Sequence, residues 1–251
     1  MNEETKTALA NKLLAWADDE LILGHRDSEW TGHAPILEED IAFANIAQDE
    51  IGHAILWYSM RQELTGETPD ELVYFREARA YRNVQFVELP KGDWAVSMLR
   101  QYLFDTAEMI LLTNLQGSAY TPIAEAAAKM RPEEIYHFRH TSAWMKRLGL
   151  GTAESNRRTQ AALDYLWRYA LQLFVPLPDE AVLVDAGIVP DTAVLLQEWR
   201  SKVIPFLQDA GLTIPDNDTP KLTDRSQHTE HLVDLLGEMQ MVARLDPQAE
   251  W

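Results

Sequence analysis

One four-residue pattern, Glu-x-x-His, occurs at two well-separated places: Glu50-Ile51-Gly52-His53 and Glu134-Ile135-Tyr136-His137. Residues three apart on a helix share a face. Each copy can therefore aim a carboxylate and an imidazole at one point. That mixture of ligands suits iron or manganese, and zinc accepts it too. A single match is weak, since a chain this acidic contains roughly one by chance. Two matches, each midway along a long helical stretch, carry more weight.

A matched pair of lone carboxylates strengthens the pattern. Glu20 stands thirty residues before Glu50, and Asp105 twenty-nine before Glu134. The near-equal intervals fit two antiparallel helical hairpins related by a pseudo-twofold axis. Inward carboxylates from two helices, with Glu-x-x-His from two others, are the ligand set of ferritin-like two-metal bundles. Glu108, one turn beyond Asp105 on the same face, is the rival ligand or a supporting partner. Four carboxylates converging in one core repel each other unless cations sit among them, and two divalent metals supply that charge. Taken alone, each acid reads as a solvated or salt-bridged helix residue, and each histidine as an ordinary satisfied one. The reading rests on their joint spacing.

Other constellations are thinner. His140 follows His137 by three residues but reads as outward-facing. His228-Thr229-Glu230-His231 has the look of a ligand pair, yet no carboxylate helix completes it. Asp49 and Tyr136 flank the motifs as candidate hydrogen-bond partners of the ligands. Trp16, Trp57, Trp94 and Trp144 read as core. The chain has no glycine-rich phosphate loop, no serine nucleophile elbow and no dinucleotide fingerprint.

The elements that must position these residues read as helix after helix. A first amphipathic stretch covers about 4–25, and a second covers 37–65 with apolar Ile41, Ala44, Ala47, Ile51, Ala54 and Tyr58 at helical spacing. A short helical piece follows at about 70–79. Asp93 is placed to cap a third long helix, 94–115, and a fourth covers 123–148, ending at Gly149 and Gly151. Pro132 falls just before Glu134, where it kinks a helix or starts a new one. Further helices are expected at 154–174, 192–209 and 227–244, with irregular chain between Pro176 and Pro190. The expected fold is all-α: one ferritin-like domain over 1–251, with a four-helix core at about 4–148 and additional helices at about 154–246.

Bulk properties narrow the function. With 40 acidic and 22 basic residues the net charge is −18. Such a surface repels phosphate backbones and anionic membranes, so neither nucleic acid nor membrane is an expected partner. The absence of cysteine excludes disulfides, thiolate zinc sites, Fe–S clusters and cysteine nucleophiles. The N-terminal stretch 1–12 is polar, and no apolar run reaches the ~18 residues that span a bilayer. The expected location is cytoplasmic.

Several blocks carry a family resemblance along nearly the whole chain. They are Glu29-Trp30-Thr31-Gly32-His33-Ala34-Pro35, Ala44-Asn45-Ile46, Arg100-Gln101-Tyr102, Tyr136-His137 with Trp144, and Arg147-Leu148-Gly149. The C-terminal blocks are the most specific: His228-Thr229-Glu230-His231-Leu232, Glu238-Met239-Gln240 and Trp251. In these the chain resembles the C-subunit family of phenylacetyl-CoA epoxidase, the oxygenase of aerobic phenylacetate degradation.

The resemblance implies a ferritin-like subunit paired with a catalytic di-iron A-type subunit. It also implies a reductase component and a CoA-thioester substrate at the level of the complex, and a homodimer stays open. The family's C-type subunits are usually regarded as structural partners that have lost their metal ligands. This sequence departs from that pattern, because Glu20, Glu50, His53, Asp105, Glu134 and His137 all stand in place for two iron ions (or manganese or zinc). Asp105 is favoured over Glu108, because the A-type subunits carry aspartate there. The expected function is a C-type subunit that stabilises an A-type partner and keeps its own two-metal site. The alternatives are a scaffold with relic carboxylates, a stand-alone di-iron oxidase or oxygenase, and an iron-handling ferritin-like protein.

Overall fold

The computed structural model describes residues 1–247, so Trp251 lies outside the described residues. Four long helices form the frame: α1 (Glu3–Ser28), α2 (Leu37–Thr65), α5 (Trp94–Leu115) and α6 (Thr121–Leu150). Between α2 and α5 come the short α3 (Pro69–Tyr74) and α4 (Gln85–Glu88). After α6 come α7 (Ala153–Ala170), α8 (Ala181–Asp185), α9 (Thr192–Asp209), α10 (Glu230–Met239) and α11 (Met241–Leu245). Among the described residues there is no strand. The fold is an all-α, ferritin-like bundle: α1 packs along α2, α5 packs along α6, and the two hairpins meet with α2 against α6.

Local chemistry sets the helix ends. The Asn2 side chain accepts from the Thr5 amide, with Glu3 and Glu4 in the first turn of α1 and His25 and Arg26 in its last. Such charges suit the helix dipole. Gly66, at φ 83°, closes α2 in the left-handed conformation that glycine adopts without strain. Thr68 and Glu71 form a reciprocal capping box on α3. Asp93 caps α5 through the Val96 amide, as its position predicts.

Three expectations need correction. The first helix is not amphipathic. From Ala8 to Asp27 only Asn11 and His25 escape burial, because α2, α4 and α8 all pack on α1. A helix buried all round shows no polar stripe, and its acids Asp18, Asp19, Glu20 and Asp27 are interior. Ile41, counted in the apolar stripe of α2, is 56% exposed. Of the two alternatives for Pro132, a new helical start is overturned, since α6 runs through it. Pro132 and Ala128 both lie on the exposed side of α6, where solvent rather than core surrounds the missing helical hydrogen bond. Two short helices also go beyond what the sequence predicts: α4, and α8 within the segment expected to be irregular.

Helices α7 and α9 cover α5, and the Trp199 indole donates to the Leu103 carbonyl of α5 at 3.0 Å. The chain then returns across the outside of α1. Arg225 donates to Asp19 at 2.7 Å, and Arg26 donates to the His231 carbonyl at 2.9 Å. His228, whose spacing to His231 has only the look of a ligand pair, pairs through Nδ1 with buried Glu88 at 2.8 Å. Glu88 also accepts from Asn83 Nδ2 and from the Thr229 amide. Gln240 donates to the carbonyls of Val73 and Arg76. His228, Thr229, His231 and Gln240, from the C-terminal blocks that carry the resemblance, are thus structural ties. Replacing Glu88 with alanine removes the buried carboxylate that three donors share. It is expected to lower unfolding free energy by about 3 kcal/mol in urea titrations. An unchanged midpoint would show that this tie does not hold the fold together.

Candidate metal centre

Each frame helix delivers acid to one point. Glu20 comes from α1, Glu50 and His53 from α2, Asp105 and Glu108 from α5, and Glu134 and His137 from α6. All are buried. Their approach needs α1 and α2 close together, and Gly24 permits it. A Cβ there would lie 2.9 Å from Ile51 Cγ1 and 3.0 Å from the Ala47 carbonyl.

Ligand atoms of Glu20, Glu50 and His53 lie within 4.8 Å of one another, as do those of Glu50, Asp105 and His137. Glu50 belongs to both groups. Glu134 Oε1 lies 2.9 Å from His137 Nδ1 and 3.7 Å from His53 Nδ1, so it too stands between the imidazoles. Glu50 Oε1 lies 3.6 Å from His137 Nδ1, and its Oε2 lies 4.0 Å from His53 Nδ1. All six sequence-predicted ligands converge. The rival residue Glu108, like Glu134, joins neither three-residue group, but where Glu134 stands between the imidazoles Glu108 faces Glu20.

Both imidazoles turn Nδ1 inward, and outer carboxylates hold their other nitrogen. His137 Nε2 meets Asp49 at 3.1 Å, and His53 Nε2 meets Glu133 at 2.8 Å. The ties run crosswise: the acid just before each motif's glutamate holds the histidine of the other motif. A proton on Nε2 leaves the Nδ1 lone pair free for a metal. Asp49 was foreseen in this role, but Glu133 was missed. Its signal was an acidic doublet, Glu133-Glu134, matching Asp49-Glu50.

Gln101 and Thr141 were missed as well. Gln101 Nε2 donates to Glu50 at 2.7 Å and to Asp105 at 2.8 Å, and Thr141 donates to Asp105 at 2.7 Å. Each sits one turn from a ligand, Gln101 before Asp105 and Thr141 after His137. Tyr136, by contrast, is exposed and stacks on His140, which pairs with Glu39 at 2.9 Å. Neither reaches the centre.

The chain matches the family described as phenylacetic acid catabolic protein across residues 1–251. It belongs to that family. The C subunit of 1,2-phenylacetyl-CoA epoxidase from Escherichia coli (strain K12) is 36% identical over 247 residues, covering 96% of this chain and all of the relative. The A subunit of the same enzyme is 25% identical over 223 residues, covering 87% of this chain and 72% of the relative.

In this member of the family the acids crowd a buried space. Both Glu20 oxygens lack a hydrogen-bond partner, as do Glu50 Oε2, Glu134 Oε2, Glu108 Oε1 and His53 Nδ1. Buried polar atoms left this way are costly, and here they face one another. An inward Nδ1 on each imidazole and unpartnered carboxylate oxygens between them fit two divalent cations.

Without metal, burial and then Glu50 and Glu108 push Glu20 well above the usual carboxylate range. Burial and Glu134 do the same for Asp105 and Glu108. Glu50 goes the other way, to about 2: burial alone would raise it, but the neighbouring Glu20 carboxyl and the imidazoles of His137 and His53 prevail. Burial alone would lower His137, and the carboxylates of Glu134, Asp49 and Glu50 outweigh it and raise it.

A group raised on folding contributes stability at low pH that is lost as pH rises through its folded value. Glu20, Asp105, Glu108 and His137 all act in that sense. The loss for Glu50 comes only as pH falls toward about 2. His25 and His140, displaced downward, are largely neutral above pH 6.5. The melting temperature of chelator-treated protein should therefore fall from pH 6.5 to about 8.5, and Glu20→Gln/Glu108→Gln should flatten the fall. A melting temperature that rises over that range would contradict this charge arrangement.

Proposed function

We propose that this chain is a C-type subunit of a multicomponent oxygenase acting on the ring of phenylacetyl-CoA, and that it keeps a two-metal site of its own. Two similarities support the first part. The C subunit of 1,2-phenylacetyl-CoA epoxidase aligns over its whole length, and the A subunit aligns more weakly. This end-to-end match favours an oxygenase component over a stand-alone oxidase or an iron store. An A-type subunit is then the partner, a reductase component is the electron source, and the CoA thioester binds at the level of the complex.

The observation that carries the second part is the convergence of buried ligand groups from four helices: five fall in two overlapping clusters, and Glu134 lies between the two imidazoles. Glu20 and Asp105 would each bind one metal, Glu50 and Glu134 would bridge, and His53 and His137 would give one imidazole to each. Iron suits this donor set best, with manganese and zinc as competitors. An iron pair, when bound, supplies the electrons that activate dioxygen. The chain's own part is to hold the ligands. Asp49 and Glu133 fix the imidazoles, and Gln101 fixes two carboxylates. The buried Trp16 ring tilts against Trp57 at 5.2 Å, one helical turn before Glu20. No helix of the described residues is long and apolar enough to cross a membrane. A cytoplasmic setting is part of the proposal.

The test uses protein co-expressed with an A-type subunit. About two metals per C-type chain are expected by elemental analysis after the subunits are separated, and none in Glu50→Ala/Glu134→Ala. The parent chain is also expected to co-purify with its A-type partner. Co-purification without metal, even after anaerobic Fe(II) loading, would leave a scaffold. Failure to co-purify would overturn the assignment to the complex.

A further inference from the structure

The two halves of the centre share a ligand plan but not a setting. On the α5–α6 side both Asp105 oxygens are occupied: Oδ1 accepts from Gln101 at 2.8 Å and Oδ2 from Thr141 at 2.7 Å. Gln101 also holds Glu50 Oε1 at 2.7 Å. Gln101 and Thr141 are both fully buried. A carboxylate oxygen that accepts one hydrogen bond keeps a further lone pair for a cation. These two residues therefore set Asp105 and Glu50 in place before any metal arrives.

On the α1 side nothing holds Glu20. It is buried, at 1% exposure, with both oxygens unpartnered. The Nδ1 of His53, 3.8 Å from Glu20 Oε2, is unpartnered as well. Glu20 also forms the inner wall of a cavity of about 40 Å³ between α1, α5 and α9. Glu108, with Oε1 unpartnered, lines the same cavity, and the partly exposed Ala107, Leu111 and Leu173 form its rim. Nearby Lys12 and Arg225 are each tied to an acid, Glu180 at 2.9 Å and Asp19 at 2.7 Å. The unpartnered groups in the cavity wall are thus carboxylates, which take a cation.

We propose that the two metal positions are unequal. The position formed by Glu50, Asp105 and His137, set by Gln101 and Thr141, fills first and retains its divalent cation. The position formed by Glu20, Glu50 and His53 fills second and exchanges through the cavity, with Glu108 as an additional carboxylate on that route. This rests on the two-metal reading above. Gln101 and Thr141 act here as positioning residues, since they touch ligands and not the metal. Loss of such a partner typically weakens metal affinity 10–100-fold, and the loss falls on the position that it supports.

Co(II) titration of the full-length chain tests this, followed by visible absorption and by elemental analysis after timed exposure to a chelator. Two affinity classes of one Co(II) each are expected, with the weaker class released first. Thr141→Val should weaken the tight class roughly 10–100-fold and shift its absorption band, and Thr141→Ser should restore both. Glu108→Gln should weaken the other class and leave the tight one unchanged. Two Co(II) ions of equal affinity and release rate would overturn the proposal while leaving the two-metal reading intact. So would a Thr141→Val effect confined to the weak class. Failure to bind any Co(II) would overturn both.

Discussion

Everything in this bundle answers to the mutual repulsion of carboxylates taken out of bulk water. Glu20, Glu50, Asp105, Glu108 and Glu134 meet at the centre of four helices, with two imidazoles as the basic groups among them. An interior like this is tolerable only if protons or metal ions neutralise it. The surrounding structure serves that need. Gly24 lets α1 and α2 approach, Asp49 and Glu133 orient the imidazoles, and Gln101 spreads one amide over two acids. The rest of the chain keeps the assembly closed. Helices α7 and α9 lie over α5, and the C-terminal segment lies over α1.

The ligands were legible because helical geometry is local. Glu50 with His53, and Glu134 with His137, are each fixed by a three-residue interval. Glu20 and Asp105 follow from the requirement that each hairpin bring an acid to the same level. The start of α5 was read in place for a similar reason: its cap, Asp93, is adjacent in sequence.

What escaped the sequence depends on contacts between distant segments. Nothing near His228 says that its partner is Glu88, 140 residues earlier. An acidic helix such as α1 reads as having a solvated face until the elements that cover it are known. Exposed Ile41 and the uninterrupted helix through Pro132 make the same point in reverse, since a residue's type gives only its tendency. Thr141 and Gln101 carry no motif of their own. Their part appears only when α5 and α6 are side by side.

The crosswise ties between Asp49 and His137, and between Glu133 and His53, bear on how such a protein arises and changes. Its two hairpins look like repeats of one unit, yet neither unit is self-sufficient, because each keeps the brace for the other's imidazole. A gene segment encoding one hairpin carries an unsupported histidine and a stray acid. Drift at position 49 is felt at 137, so the two halves are bound to a common history. A descendant that abandons metal is freed at both braces together, and paired loss of an acid and its cross-partner is the trace it leaves.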